Sequence, residues 1–131
     1  PLSLIEYLDT KNKTICLPMV VNKKQPLIFK PWRPGKKMVI GHYGISVPDN
    51  DQTLIPDLII CPLLAYDSKG MRLGYGGGFY DRTIKYLRRN KQVKYIGLAF
   101  SGQKSYHDLP SEVHDVPLDA VLTETGMDFF Q

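Results

Sequence analysis

One stretch limits what this chain can fold into more than any other. Within Arg72-Leu73-Gly74-Tyr75-Gly76-Gly77-Gly78-Phe79-Tyr80-Asp81-Arg82, four glycines occupy the five positions 74–78. From Tyr80 to Arg89 the spacing of Tyr80, Ile84 and Leu87 predicts a helix. Apolar runs at 57–62 and 95–100 lie on either side. Strand, glycine-rich loop, helix and strand in that order describe a βαβ unit, whose two strands pair in parallel. The glycines then stand at a helix N-terminus, where N–H groups are unpaired and the macrodipole contributes about half a positive charge. Glycine lets backbone amides reach an anion with no side chain in the way, so the arrangement is that of a phosphate cradle. Asp81, in the first helical turn, is placed to hold magnesium beside the phosphates, since that ion accepts one or two carboxylates plus phosphate oxygens.

Two common nucleotide patterns do not fit. No Gly-Lys-Ser/Thr follows, which excludes a P-loop, and Phe79 stands where Gly-x-Gly-x-x-Gly needs its last glycine. The pattern is its own: Asp67-x-x-Gly70-x-Arg72-Leu73-Gly74-x-Gly76-x-Gly78-Phe79-Tyr80-Asp81. Asp67 is expected to orient the glycine loop by bonding its backbone amides. Each residue also has a plainer reading. A glycine cluster can be only a tight loop, and Arg72 could form a surface ion pair worth roughly 0–1 kcal/mol. Asp81 could be a favourable helix-start charge worth about 0.3–1 kcal/mol.

Elsewhere, Leu2 to Leu8 reads as the end of a helix and Ile15 to Val21 as a strand closed by Asn22-Lys23-Lys24. Pro26 to Lys30 reads as a short second strand. Pro31 to Pro56 is rich in proline and glycine and reads as loop. Asp57 to Pro62 is a continuous apolar strand, which predicts a sheet covered on both faces. Tyr95 to Phe100 is another buried strand, and Asp119 to Thr123 is the last. The class is α/β, with a mixed or mostly parallel sheet flanked by helices and a glycine-rich loop leading into a helix. The site is expected at the carboxyl ends of the strands.

The 131 residues suit a single domain spanning 1–131. No apolar run reaches the ~20 residues that span a bilayer, so no membrane partner is expected. The net charge of +4 comes from scattered doublets such as Lys23-Lys24, Lys36-Lys37 and Arg88-Arg89. Without interleaved aromatics this argues against nucleic acid and suits anionic small molecules. Cys16 and Cys61 lie in apolar runs and read as buried free thiols, which fits a reducing cytoplasm. Trp32 reads as structural, and His42 and His107 as surface residues.

The loop pattern resembles the signature of the 5-formyltetrahydrofolate cyclo-ligases, also called methenyltetrahydrofolate synthetases. The resemblance extends to Thr14-Ile15-Cys16-Leu17-Pro18, to Pro26-Leu27-Ile28-Phe29-x-x-Trp32 and to Tyr43-Gly44-Ile45. It is close at His114-Asp115-Val116-Pro117-Leu118-Asp119-x-Val121-Leu122-Thr123. It implies an enzyme that uses ATP and magnesium to close 5-formyltetrahydrofolate to 5,10-methenyltetrahydrofolate, releasing ADP and phosphate. It implies ATP binding by Arg72, Leu73, Gly74, Tyr75, Gly76, Gly77, Gly78, Phe79 and Tyr80, with Arg72 and Tyr80 in the catalytic role. It also implies Tyr43 and Tyr80 against the folate, magnesium (Mg2+) on Asp81 and Asp115, and a cytoplasmic monomer acting on ATP, 5-formyltetrahydrofolate and its polyglutamates. By themselves, Tyr43 could fill a core and His114-Asp115 could be an ordinary loop.

The chain departs from the pattern in three places. Family members begin with a basic helical segment that contacts ATP and a glutamate that binds folate. Pro1-Leu2-Ser3-Leu4-Ile5 aligns just past that glutamate, so the chain is expected to be N-terminally truncated. Phe79-Tyr80 replaces Tyr-Tyr, and Ser46-Val47-Pro48-Asp49 replaces a Glu-Pro. Two other functions compete: a non-catalytic nucleotide- or folate-binding fragment of the family, and a sugar-phosphate-binding α/β enzyme. The latter has no need of paired Asp81 and Asp115.

Overall fold

The structure is a computed structural model that describes residues 2–130. Its contacts divide the chain into two compact units, Pro1–Pro56 and Asp57–Gln131.

In the first unit, α1 (Leu2–Thr10) is stopped by Asn12, whose φ of 57° lies in the left-handed region that asparagine tolerates. The amides of Asn12 and Lys13 turn back onto the carbonyls of Asp9 and Leu8, both at 3.0 Å, satisfying the helix end in a Schellman motif. Next come β1 (Ile15–Met19) and β2 (Ile28–Trp32), antiparallel with Ile15 opposite Trp32 and Met19 opposite Ile28. The turn between them forms where Asn22 Oδ1 accepts the Lys24 amide at 2.9 Å. The second strand was expected at Pro26 to Lys30; it runs two residues further, through Pro31. A two-stranded sheet has only edges, so the missing proline N–H costs no ladder bond.

The expected loop between Pro31 and Pro56 is in part a hairpin. Its strands are β3 (Met38–Ile40) and β4 (Ser46–Pro48), antiparallel with Val39 opposite Val47. Gly41 donates to the Ile45 carbonyl at 2.8 Å, and Gly44 turns the chain at a φ of 72°. Among the described residues of this unit, Leu27, Phe29, Val47 and Pro48 are buried.

The second unit has a four-stranded sheet in the order β10-β9-β8-β5. Here β5 is Leu58–Pro62, β8 is Lys94–Leu98, β9 is Ala120–Thr123 and β10 is Gly126–Phe129. The β5–β8 and β8–β9 pairs are parallel and β9–β10 is antiparallel, so the sheet is mixed with a parallel core. The α/β expectation is borne out. A two-stranded hairpin, β6 (Ala65–Tyr66) with β7 (Arg72–Leu73), precedes the glycine loop. The helix α2 (Phe79–Leu87) buries Thr83, Ile84 and Leu87. Ile59, Cys61, Tyr95, Leu118 and Val121 are buried in the same unit.

Two expectations need correction. β5 is not covered on both faces: it is an edge strand in which Leu58 and Pro62 are exposed while Ile59 and Cys61 are buried. β9 is not the last strand. Thr123, Thr125 and Gly126 make a tight turn into β10, where the Thr125 amide donates to Thr123 Oγ1 at 3.2 Å.

Candidate active site

Arg72 lies on β7, opposite Tyr66. Its side chain is only 9% exposed, so its charge must find partners inside the protein. Its Nε–H donates to Tyr95 Oη at 2.6 Å. Its Nη2 is 3.9 Å from Asp81 Oδ2. The guanidinium carbon lies 5.5 Å from the ring centre of Tyr80 and 5.9 Å from that of Tyr95, within cation–π range. A Cβ at Gly74 would fall on Arg72 Nη1. Gly74 is therefore needed so that the arginine can fold back over its own loop.

The other glycines serve different needs. A Cβ at Gly77 would meet the Phe79 ring at 2.8 Å. Gly76 and Gly78 have φ of 92° and 67°, a region hostile to branched side chains. Nothing lies within 4 Å of a Cβ built at Gly76, and only Arg82 Nη1, at 3.3 Å, approaches one at Gly78. Gly78 caps α2 and, lacking a side chain, makes no cap bond of its own. Two of the four glycines thus make room for the protein's own side chains, Gly76 borders open space, and Gly78 lies beside the Arg82 guanidinium at the helix N-terminus. Leu73 and Tyr75 are exposed, while Phe79 lies under the Arg82 guanidinium at 5.2 Å.

Asp81 stands in the first turn of α2 and is 18% exposed. Its Oδ1 accepts the Val116 amide at 3.1 Å, which ties the segment containing His114 and Asp115 to the helix start. Asp115 Oδ2 accepts the Glu112 amide at 2.8 Å, and its own amide donates to the Glu112 carbonyl at 3.0 Å. His114 is exposed and pairs with Glu112 at 2.8 Å. Among the described residues no three His, Cys, Asp or Glu side chains cluster as a metal cage. Magnesium needs no such cage: one or two carboxylates with phosphate oxygens and water suffice. Asp81 is one such carboxylate, and Asp115 precedes Val116, whose amide Asp81 holds.

Tyr80 is half-buried. Burial, with a smaller contribution from Cys61, pushes its hydroxyl up to about 12, so it stays protonated near neutral pH. Burial raises Tyr95 and Cys61 as well. Cys61 is the penultimate residue of β5, which puts the cluster toward that strand's carboxyl end.

Arg72, Gly74, Gly76, Gly78, Tyr80 and Asp81 are thus gathered in the second unit, and Asp115 is tethered by its neighbour. Tyr43 belongs to the first unit, at the β3–β4 turn, with its ring 6.0 Å from that of His42. At 42% exposed it does not fill a core. Asp67 is buried, but the amides it accepts belong to Lys69 and Met71 (2.9 and 3.0 Å) and to Leu109 (2.9 Å). It shapes the β6–β7 turn rather than residues 74–78. Cys61 is buried and Cys16 half-buried. Three residues of the site were missed. Tyr95 is a polar-tipped aromatic in an apolar strand, a group that usually has a partner when buried. Cys61, on the neighbouring strand β5, is buried like Tyr95 and faces the same group of side chains closely enough to act on the Tyr80 and Tyr95 hydroxyls. Arg82 donates to the carbonyls of Gly77 and Gly78, both at 3.3 Å.

The profile of the 5-formyltetrahydrofolate cyclo-ligase family matches residues 2–124. The chain is 40% identical over 126 residues to a 5-formyltetrahydrofolate cyclo-ligase of Haemophilus influenzae, covering 92% of this chain and 66% of that protein. It is 36% identical over 126 residues to one of Escherichia coli, covering 92% and 68%. It superposes on the solved structure of Aquifex aeolicus 5,10-methenyltetrahydrofolate synthetase with a TM-score of 0.74 and 28% identity, over 99% of this chain and 64% of that one. A 5,10-methenyltetrahydrofolate synthetase from Mycoplasma pneumoniae gives 0.65 and 26%, over 91% and 61%. The chain thus spans about two thirds of the length of the relatives it matches. A family profile covering residues 2–124 and a fold that superposes on two solved synthetases lead to one conclusion: this chain belongs to the 5-formyltetrahydrofolate cyclo-ligase family.

Proposed function

We propose that this chain binds ATP at the glycine loop and uses it to close 5-formyltetrahydrofolate to 5,10-methenyltetrahydrofolate, with release of ADP and phosphate. In this reading the formyl oxygen takes the terminal phosphoryl group. The neighbouring folate nitrogen then attacks the activated carbon, and phosphate leaves as the ring closes. Such a reaction asks the protein for positioning and charge stabilisation rather than for a covalent intermediate.

The observation that carries the reading is the placement of Arg72. A buried guanidinium is folded over Gly74 beside a helix start at which Gly76 faces open space. Arg72 would stabilise charge on the phosphates, and the free amides of the α2 N-terminus would take their oxygens. Tyr80, protonated near neutral pH, would donate a hydrogen bond to the reacting oxygens rather than act as a base. Asp81 and Asp115 would hold magnesium. That ion neutralises phosphate charge when bound. Tyr43, exposed on its hairpin turn, would lie against the folate ring. We place the protein in the cytoplasm as a monomer acting on small molecules. Among the described residues no helix is long and apolar enough to cross a membrane.

The test is an assay of 5-formyltetrahydrofolate conversion by the intact protein. Product should form only with both ATP and magnesium, one phosphate released per ring closed. Ring closure without ATP, or ATP bound only away from the loop, would refute the proposal.

A further inference from the structure

We propose that Tyr95 is a positioning residue for Arg72: its hydroxyl fixes the Nε–H so that both Nη groups stay turned toward the glycine loop. The inference rests on the nucleotide-binding role given to Arg72 above. An arginine side chain has several rotatable bonds, and a mobile guanidinium would lose much of its advantage on a phosphate through ordering. Here one edge of the fork is held. Arg72 Nε–H donates to Tyr95 Oη at 2.6 Å, short enough for a charge-assisted bond. Nη1 then lies in the space left by the missing side chain of Gly74, and Nη2 is 3.9 Å from Asp81 Oδ2.

Tyr95 is itself a rigid post. It is fully buried on β8, an inner strand of the sheet. Its amide donates to Asp119 Oδ2 at 2.8 Å, and its carbonyl accepts the Asp119 amide at 2.8 Å. Arg88 Nη2 bonds the same Asp119 Oδ2 at 2.9 Å. The chain from β9's entry through β8 to Arg72 is a continuous set of hydrogen bonds ending at the loop.

Tyr95→Phe keeps the buried ring and removes only the hydroxyl. A hydrogen bond to a charged group, converted to affinity, corresponds to about ten- to a hundredfold. A double-mutant cycle with Arg72→Gln, read by calorimetric titration of ATP with magnesium, separates positioning from general support of the fold. We expect Tyr95→Phe to weaken ATP by about tenfold or more when Arg72 is present, and by less than twofold in the Arg72→Gln background. Equal losses in both backgrounds would overturn the proposal, because the hydroxyl would then act through the fold. No loss from Tyr95→Phe, with a clear loss from Arg72→Gln, would also overturn it while leaving the ATP reading intact. No loss from Arg72→Gln would sink both. In the unmodified protein, the Arg72 Nε–H should give a resolved, slowly exchanging NMR signal. Exchange at the rate of a solvated guanidinium would contradict the proposal independently of any variant.

Discussion

Gly76→Ala is the perturbation that most cleanly separates backbone strain from loss of a ligand site. Gly76 has a φ of 92°, and nothing stands within 4 Å of the methyl it would gain. The methyl meets no protein atom, so the stability cost is conformational, about 1–2 kcal/mol for an L-residue in the left-handed region. Reduced freedom of the unfolded chain offsets about 0.4–1 kcal/mol of that. The net should be about 1 kcal/mol, a melting shift of roughly 2–6 °C for a chain of this size. Gly35 is a matched control, with a φ of 88° and equally open surroundings on the turn between β2 and β3. Gly35→Ala should cost about the same in stability and nothing in nucleotide binding. Gly76→Ala places its methyl where we seat a phosphate. It should lose at least one charge-assisted amide contact, about tenfold or more in ATP affinity. Thermal melts and calorimetric ATP titrations of the two variants decide the matter. If both bind ATP like the parent while both lose the same stability, Gly76 is a turn glycine and no phosphate lies beside it. Valine is the wrong probe here, because a branched Cβ at this φ adds strain of its own.

Other outcomes follow from the same geometry. Asp81→Asn keeps an acceptor for the Val116 amide but leaves the buried Arg72 without its counter-ion. It should lower stability, by about 1 kcal/mol for a pair as long as 3.9 Å, and weaken magnesium-dependent ATP binding, whereas Asp115→Asn should weaken the binding alone. Denaturant melts and ATP titrations with and without magnesium check both, and unchanged magnesium dependence in both variants would remove the metal assignment. Gly97→Ala would bring a methyl to 2.7 Å from Leu63 and 3.0 Å from Leu118, so overpacking should cost about 1–3 kcal/mol with ATP affinity kept. Hydrogen bonds from Ser101 hold the Glu124 carboxyl below the usual range. A depressed folded-state value means stabilisation that is present above the unfolded value and lost as pH falls through the folded one. Glu124→Gln should therefore flatten the loss of stability below about pH 4, measured by urea melts.

How much of this was legible in the sequence depended on range. The βαβ unit could be read because Ile59, Cys61, Ile84, Leu87, Tyr95 and Val121 keep simple periodicities over several residues. The β3–β4 hairpin could not: three-residue strands carry too little pattern, and proline at position 48 argues against a strand. The edge position of β5 is set by partners far along the chain, and an apolar run looks the same at an edge and in the middle. Within the site, Arg72, Gly76, Gly78 and Asp81 stood out as a local pattern at a helix start. Tyr95 did not, because 23 residues separate it from the Arg72 side chain it holds. That Gly74 and Gly77 make room for Arg72 and Phe79 follows from side-chain paths, which glycine spacing does not encode.

The central claim is that ATP phosphates sit at the start of α2 beneath Arg72. The most direct measurement is a titration of the isotopically labelled protein with ATP and magnesium, followed by amide NMR. The largest shifts should fall on the amides of Gly76 to Asp81 and on the Arg72 Nε–H, with Gly35 unmoved. Saturable ATP binding that leaves those amides in place and shifts others would contradict the account.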